Sequence, residues 1–178
     1  WHVVIDGRDG DAVREAAAAM GPRAVGVTGD ISDPDHRAAL VAAARRFGRL
    51  DLVVNNASVL GPSPLPPLRE LPLDAFGEIL RVNVIAPLGL VQLALPLLVA
   101  SGGAVIDITS DAAVEAYEGW GGYGASKAAL EQLSAVLAAE EADLRVWWVD
   151  PGDMRTRMHQ QAFPGEDISD RPEPSEVV

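Results

Sequence analysis

Short β-branched runs that alternate with longer alanine-rich stretches constrain this chain more than any other feature. The runs are His2–Asp6, Arg23–Thr28, Leu50–Asn55, Ala104–Thr109 and Leu144–Val149, each of strand length. Between them Asp11–Met20, Pro34–Phe47, Leu73 to about Val99 and Tyr123–Glu140 have helical composition. Ser32 or Asp33 ahead of Pro34 supplies a cap followed by proline in the first turn. Leu52-Val53-Val54 and Val105-Ile106-Asp107-Ile108 are mostly continuous apolar runs, as strands covered by helices on both faces require. The pattern predicts an α/β fold built on a parallel sheet.

With 178 residues, 48% of them hydrophobic, the chain has material for one domain spanning residues 1–178 and too little for two ordinary ones. It contains no cysteine, and its three histidines (His2, His36, His159) are scattered, so no metal site is expected. A net charge of −12 argues against nucleic acid and anionic membrane surfaces as partners, because both attract basic patches. The longest apolar stretch, Val84 to Ala100, falls short of a membrane span and contains Pro87, Gln92 and Pro96. It is expected inside the protein or in a subunit interface. Nothing near Trp1 has the charged-then-apolar layout of a secretory signal, which makes the cytoplasm the expected setting.

The strongest local signal is Tyr123-Gly124-Ala125-Ser126-Lys127 at the start of a predicted helix. This spacing puts a phenol and an ammonium one turn apart on the same face. A free phenol titrates near 10 and exchanges protons poorly at neutral pH, but a neighbouring lysine cation favours the phenolate. Taken singly, the same pair is common on helix surfaces.

Other landmarks accompany it in order. Leu50-Asp51-Leu52-Val53-Val54-Asn55-Asn56-Ala57 ends a strand in Asn-Asn-Ala; Arg81-Val82-Asn83-Val84 lies in a helix; and Val105-Ile106-Asp107-Ile108-Thr109-Ser110 ends thirteen residues before the tyrosine. Val149-Asp150-Pro151-Gly152 is followed by Thr156. As an ordered set these segments resemble the classical short-chain dehydrogenase/reductase family, truncated at both ends. The resemblance implies a Rossmann-like, doubly wound parallel sheet. It also implies an oxidoreductase that interconverts a carbonyl and an alcohol on a small organic substrate by hydride transfer with NADP or NAD.

The same resemblance implies roles. Tyr123 exchanges the proton with the reacting oxygen, Lys127 lowers its pKa and touches the nicotinamide ribose, Ser110 donates to the reacting oxygen, and Asn83 holds a water that links Lys127 to solvent. Asp30 and Ile31 contact adenine; Asn55, Asn56 and Ala57 lie along the adenosine; Pro151, Gly152 and Thr156 border the nicotinamide. Arg8 follows the strand His2–Asp6, and Gly7 stands where an acidic residue would hold the free ribose hydroxyls. Arginine there suits a 2′-phosphate and favours NADP, while Asp6 nearby keeps NAD open. The substrate would meet Tyr117 and Trp120, with Met154, Met158 and His159 on a lid. Family members usually associate through the long apolar helix and the Tyr123–Glu140 helix, so a homodimer or homotetramer is expected.

Plainer readings stand beside these. Ser110 ends an apolar run as many serines do, Asn55-Asn56 have the composition of a turn, and Arg8 is an arginine in a loop. A relative that binds nucleotide without catalysis, for regulation, is the alternative; it has no use for all four of Asn83, Ser110, Tyr123 and Lys127. Trp147 and Trp148 alternate on a strand, at least one of them expected in the core. Gly119, Gly121 and Gly124 spell a G-x-G-x-x-G, but no strand precedes them, so they are not a dinucleotide fingerprint.

The sequence departs from the family in three ways. Ser58 replaces the glycine that usually follows Asn-Asn-Ala. Nothing corresponds to the first strand with its glycine-rich turn, whose absence from the middle of the sheet would leave a gap, and the last strand is missing as well. The polar stretch from Phe163 to Val178 and the segment from Asp153 onward (153–178) are expected to form a mobile substrate loop or tail. A longer parent enzyme is the expected context.

Overall fold

A computed structural model describes residues 1–177; Val178, the last residue of the expected tail, lies outside the described residues. The predicted alternation is present. Strand β1 (Val3–Gly7) leads into helix α1 (Gly10–Met20), β2 (Ala24–Thr28) into α2 (Pro34–Arg45), and β3 (Leu52–Asn55) into a long loop. Helices α3 (Leu73–Leu80) and α4 (Ala86–Ser101) follow, then β4 (Ala104–Ile108), α5 (Gly121–Glu140), β5 (Arg145–Val149), α6 (Arg157–Ala162) and α7 (Pro174–Val177). Asp33 is the cap of α2: its side chain accepts from the Asp35 amide at 2.9 Å, and Pro34 occupies the first turn.

All strand pairing among the described residues is parallel and falls into two sheets, β1–β2 and β3–β4–β5. No described strand joins β1 to β3. Helices α2 and α4 press Val41, Val91, Ala94 and Leu98 against Val53 and Val105 of β3 and β4. Leu98 and Val105 are completely buried, each stabilising the fold by roughly 1.5–3 kcal/mol.

Between α3 and α4 lies a π-helical turn, Arg81–Ile85, so that residues 73–101 run as one continuous helix. Its inner face buries Ala86, Val91, Ala94 and Leu98, while Ile85, Leu88, Leu93 and Val99 face outward. By length and composition this run is apolar and long enough to cross a membrane, where Val84 to Ala100 by itself is too short. Core helices of water-soluble proteins meet the same description.

The tryptophans differ from expectation. Trp147 and Trp148 are 46% and 42% exposed, so neither is in the core. The cause is topological: β5 pairs with β4 and with no other described strand, which leaves the rim of the sheet uncovered. Arg145 shields part of Trp147, its guanidinium 5.9 Å from the ring centre.

From Asp153 onward the chain carries α6 and α7 and folds back on itself. Arg155 pairs with Glu173 at 2.5 Å, and Ser63 Oγ donates to the Gln161 carbonyl at 2.6 Å.

Candidate active site

The site forms at the C-terminal ends of β3 and β4 and the first turns of α5. That helix opens Gly121-Gly122-Tyr123-Gly124, and it buries Tyr123, Ser126 and Lys127 together. Gly124 is required by close approach: a Cβ there would lie 2.4 Å from the Ala112 carbonyl oxygen. The turn after β4 (residues 111–113) is thus held against the first turn of α5. Ser110 caps this turn, its Oγ accepting from the Ala112 amide at 3.2 Å and donating to Asp111 at 3.0 Å.

Lys127 is almost fully buried. Its Nζ donates to the Ile108 carbonyl at 2.7 Å and sits 5.4 Å from the centre of the Tyr123 ring. Burial lowers its pKa to about 8, against a smaller pull upward from Asp107. Burial likewise raises the Tyr123 phenol to about 12; the Ser58 hydroxyl pulls the other way, and Asp150 and Asp111 push it further up. The simple expectation that lysine makes this phenol acidic is therefore not met in this state. Lys127 lies over the ring face with its charge engaged by a backbone carbonyl, and desolvation dominates.

Asn83 is 1% exposed and faces inward from the π-helical turn. Its Oδ1 accepts from the Val59 amide at 2.8 Å, while Nδ2 donates to the Val59 carbonyl at 2.9 Å and to Ser126 Oγ at 3.0 Å. The amide ties the loop after β3 to α5. A π-turn adds a residue to the helix and re-aims a side chain, which is why such turns recur at functional sites.

The residues expected along the cofactor occupy one side of the same edge. A cleft of about 170 Å³ is lined by Asp6, Ile31, Asn55, Asn56 and Ala57, with Val82 and Pro87 behind them. Asn55 is buried, however, and its Nδ2 donates to Asp107 at 2.7 Å, so that amide braces β3 to β4. Asp30 accepts from the Ser32 amide and hydroxyl at 2.8 and 2.6 Å, which holds its carboxyl below the usual range; Arg8 and Arg81 act in the same direction. Arg8 itself is exposed. Gly152 takes the left-handed conformation (φ +73°) that turns the chain after Pro151, and Thr156 caps α6 by accepting from His159. Trp120 meets Tyr123 edge to face at 5.8 Å and Phe163 at 6.0 Å, while Leu60, Met158 and Ala162 complete an apolar wall around the phenol. Tyr117 stands outside this wall, donating to Asp111 at 2.8 Å.

Sequence reading missed a polar seam behind the site. Asp107 is buried on β4 and accepts from Asn55 and from Ser134 Oγ at 2.6 Å; Glu131 accepts from Thr109 at 2.6 Å. Lys127, Glu131 and Ser134 thus line one face of α5 over Asp107 and Thr109. The available signal was an acidic residue inside an apolar strand, which is seldom buried without partners.

A parallel α/β fold with a buried tyrosine–lysine pair at the sheet's C-terminal edge defines a Rossmann-like nucleotide-binding class. The short chain dehydrogenase family profile matches residues 1–167. This chain belongs to that family. It is 36% identical over 139 residues to an uncharacterized oxidoreductase of Saccharomyces cerevisiae, covering 78% of this chain and 54% of that protein. The chain spans about half the length of the curated relatives it matches. Among solved structures it superposes on a short chain dehydrogenase from Pseudomonas syringae with TM-score 0.91 and 32% identity, over 98% of this chain and 74% of that one. A short chain dehydrogenase from Shigella flexneri complexed with NADP gives TM-score 0.90 and 30% identity, over 98% and 76%.

Proposed function

We propose that the protein containing this chain is an NADP-preferring oxidoreductase that interconverts a carbonyl and a secondary alcohol on a small organic substrate. One observation carries the reading: Tyr123 and Lys127 are buried together, 5.4 Å from ring centre to Nζ, beside the inward-facing Asn83 and the Ser110 turn. A regulatory nucleotide-binding relative has no use for that arrangement. The cleft lined by Asp6, Ile31, Asn56 and Ala57 suits a purine base, so the residues present fit the adenosine side of a nicotinamide dinucleotide. When bound, the dinucleotide supplies or accepts the hydride.

The chain's own residues handle the proton and the charge. Tyr123 gives its proton to the carbonyl oxygen in reduction and takes it back in oxidation. Ser110 donates a hydrogen bond where charge develops on that oxygen, and Lys127 supplies the positive charge that makes the phenolate accessible. Asn83 fixes the loop after β3 and, by way of Ser126, the first turns of α5. Trp120, Leu60, Met158 and Phe163 keep water from the phenol and shape an apolar substrate wall, with the segment from Asp153 onward as a mobile lid. The outward apolar face of the long helix, together with α5, is the surface for a homodimer or homotetramer in the cytoplasm.

Carbonyl reduction is expected to decline above about pH 8, as Lys127 loses its charge while Tyr123 keeps its proton until about 12. A kcat/KM profile from pH 6 to 10 checks this. Lys127→Arg, which stays charged throughout, should flatten whatever activity remains. A wild-type profile level to pH 10 would contradict the assignment of the limb to Lys127.

The reading is tested by oxidation of NADPH and NADH by the full-length enzyme over a panel of ketones and aldehydes. Arg8→Ala is expected to raise the KM for NADPH by about tenfold and leave that for NADH within about twofold, since one charge-assisted contact to the 2′-phosphate would be lost. Cofactor binding without turnover across the panel would favour the regulatory relative, and the absence of any cofactor binding would end the oxidoreductase reading.

A further inference from the structure

Ser58 stands where the family usually has glycine, and nothing in the established pattern uses it. Its Oγ is buried and has no hydrogen-bond partner at normal geometry. A buried hydroxyl without a partner opposes folding, and such groups in native structures call for a reason. The two residues that follow it are anchored at the site. Val59 is gripped by Asn83 through both its amide and its carbonyl, at 2.8 and 2.9 Å, and Leu60 is packed into the apolar cluster that contains Tyr123. Ser58 is therefore tethered next to that cluster by the same asparagine that braces α5, and its hydroxyl bears on the phenol.

We infer that Ser58 is an additional catalytic hydroxyl, which donates its hydrogen bond to the Tyr123 oxygen when that oxygen is the phenolate. The inference rests on the oxidoreductase reading above. In reduction the carbonyl carbon receives hydride from the reduced nicotinamide, and the carbonyl oxygen takes the Tyr123 proton. The C=O π bond is replaced by a C–H and an O–H bond, and the negative charge is left on the Tyr123 oxygen. In the protonated state no hydrogen bond of normal geometry joins the two hydroxyls, although Ser58 already pulls the phenol's pKa downward. The bond becomes charge-assisted, and so stronger, only when the phenolate forms. Ser58 thus stabilises the product of proton transfer rather than its ground state.

The charged and titratable groups around the phenol come from four elements. Lys127 of α5 lies over the ring, and Asp111 of the turn after β4 and Asp150 at the end of β5 both disfavour the anion; His159 of α6 stacks on Phe163 at 4.9 Å, behind the apolar wall. Two acidic neighbours and burial oppose ionisation, and Lys127 is partly committed to the Ile108 carbonyl. A neutral donor from the loop after β3 offsets that opposition without adding a buried charge.

The test uses Ser58→Gly, the family's usual residue and so compatible with the fold, alongside Ser58→Ala and Ser58→Thr in the full-length enzyme. In alcohol oxidation, which requires the phenolate, the acid limb of kcat should move upward by about half to one pH unit in the Gly and Ala variants. At neutral pH kcat should fall about 3- to 10-fold, with the KM for cofactor unchanged. Ser58→Thr, which retains a hydroxyl, should restore the wild-type profile. Independently of turnover, the phenolate absorbance that Tyr123→Phe removes should titrate at higher pH in Ser58→Gly. If that absorbance titrates as in wild type, the inference is overturned, whatever the kinetics. If no carbonyl or alcohol is turned over, the proposed activity fails while the absorbance titration still decides the role of Ser58.

Discussion

Tyr123→Phe is expected to reduce turnover by roughly 10³-fold in both directions while leaving cofactor affinity within about twofold. A positioned general acid typically contributes 10²–10⁴-fold, and about 4 kcal/mol of barrier corresponds to the middle of that range. The substitution isolates the chemistry. Ser58, whose hydroxyl bears on the phenol, already lacks a hydrogen-bond partner of normal geometry, so phenylalanine leaves no newly unpaired group. The ring remains in its aromatic contact with Trp120 at 5.8 Å and under the Lys127 ammonium. Thermal unfolding should thus change little, and the loss should fall on kcat rather than on KM. Stopped-flow reduction of a ketone, with cofactor binding followed by fluorescence, checks both halves. Turnover within tenfold of wild type would remove Tyr123 from the proton path.

Gly124→Ala should lower kcat by about 10²-fold, although it replaces a helix breaker by the best helix former. Propensity alone would stabilise α5 by about 1 kcal/mol. Against this, the new methyl would sit 2.4 Å from the Ala112 carbonyl oxygen, which is backbone and cannot rotate away. The helix start or the turn after β4 must move by several tenths of an ångström or more. That turn carries Ser110, and the helix start carries Tyr123. Misplacement on the scale of 1 Å between catalytic groups costs on the order of 100-fold in rate. Steric contact should also outweigh propensity in stability, lowering the unfolding midpoint. An unchanged kcat with a raised midpoint would show that the turn after β4 can yield without disturbing the site.

Much of this was legible before any coordinates. The strands and helices followed from composition and apolar continuity, because a segment covered on both faces must be apolar throughout, and that condition is local. The cap before Pro34 was legible, as Ser32 or Asp33, for the same reason: the hydrogen bond Asp33 makes closes within two residues. Tyr123 and Lys127 were found by spacing, because a helix places residues four apart on one face whatever surrounds it. The other landmarks then located Ser110 and Asn83 by resemblance.

Other properties depend on neighbours distant in the chain. Asp107 passed as one member of a mostly apolar run; its burial rests on Asn55, fifty-two residues earlier, and Ser134, twenty-seven later. At least one of Trp147 and Trp148 was expected in the core, since a strand's composition does not reveal whether another strand covers its far edge. That Asn83 clamps Val59 to Ser126 was likewise hidden, since its partners lie twenty-four residues before it and forty-three after. The desolvation that raises the phenol's pKa was equally out of reach, because it comes from segments distant in the chain. Local order, helix-face spacing and the presence of an apolar core were thus determined by the sequence itself, through interactions that close within a turn or along a strand. Burial, pKa and the partners of each polar group were decided by the tertiary structure, because they depend on which distant segments exclude water from the same few ångströms.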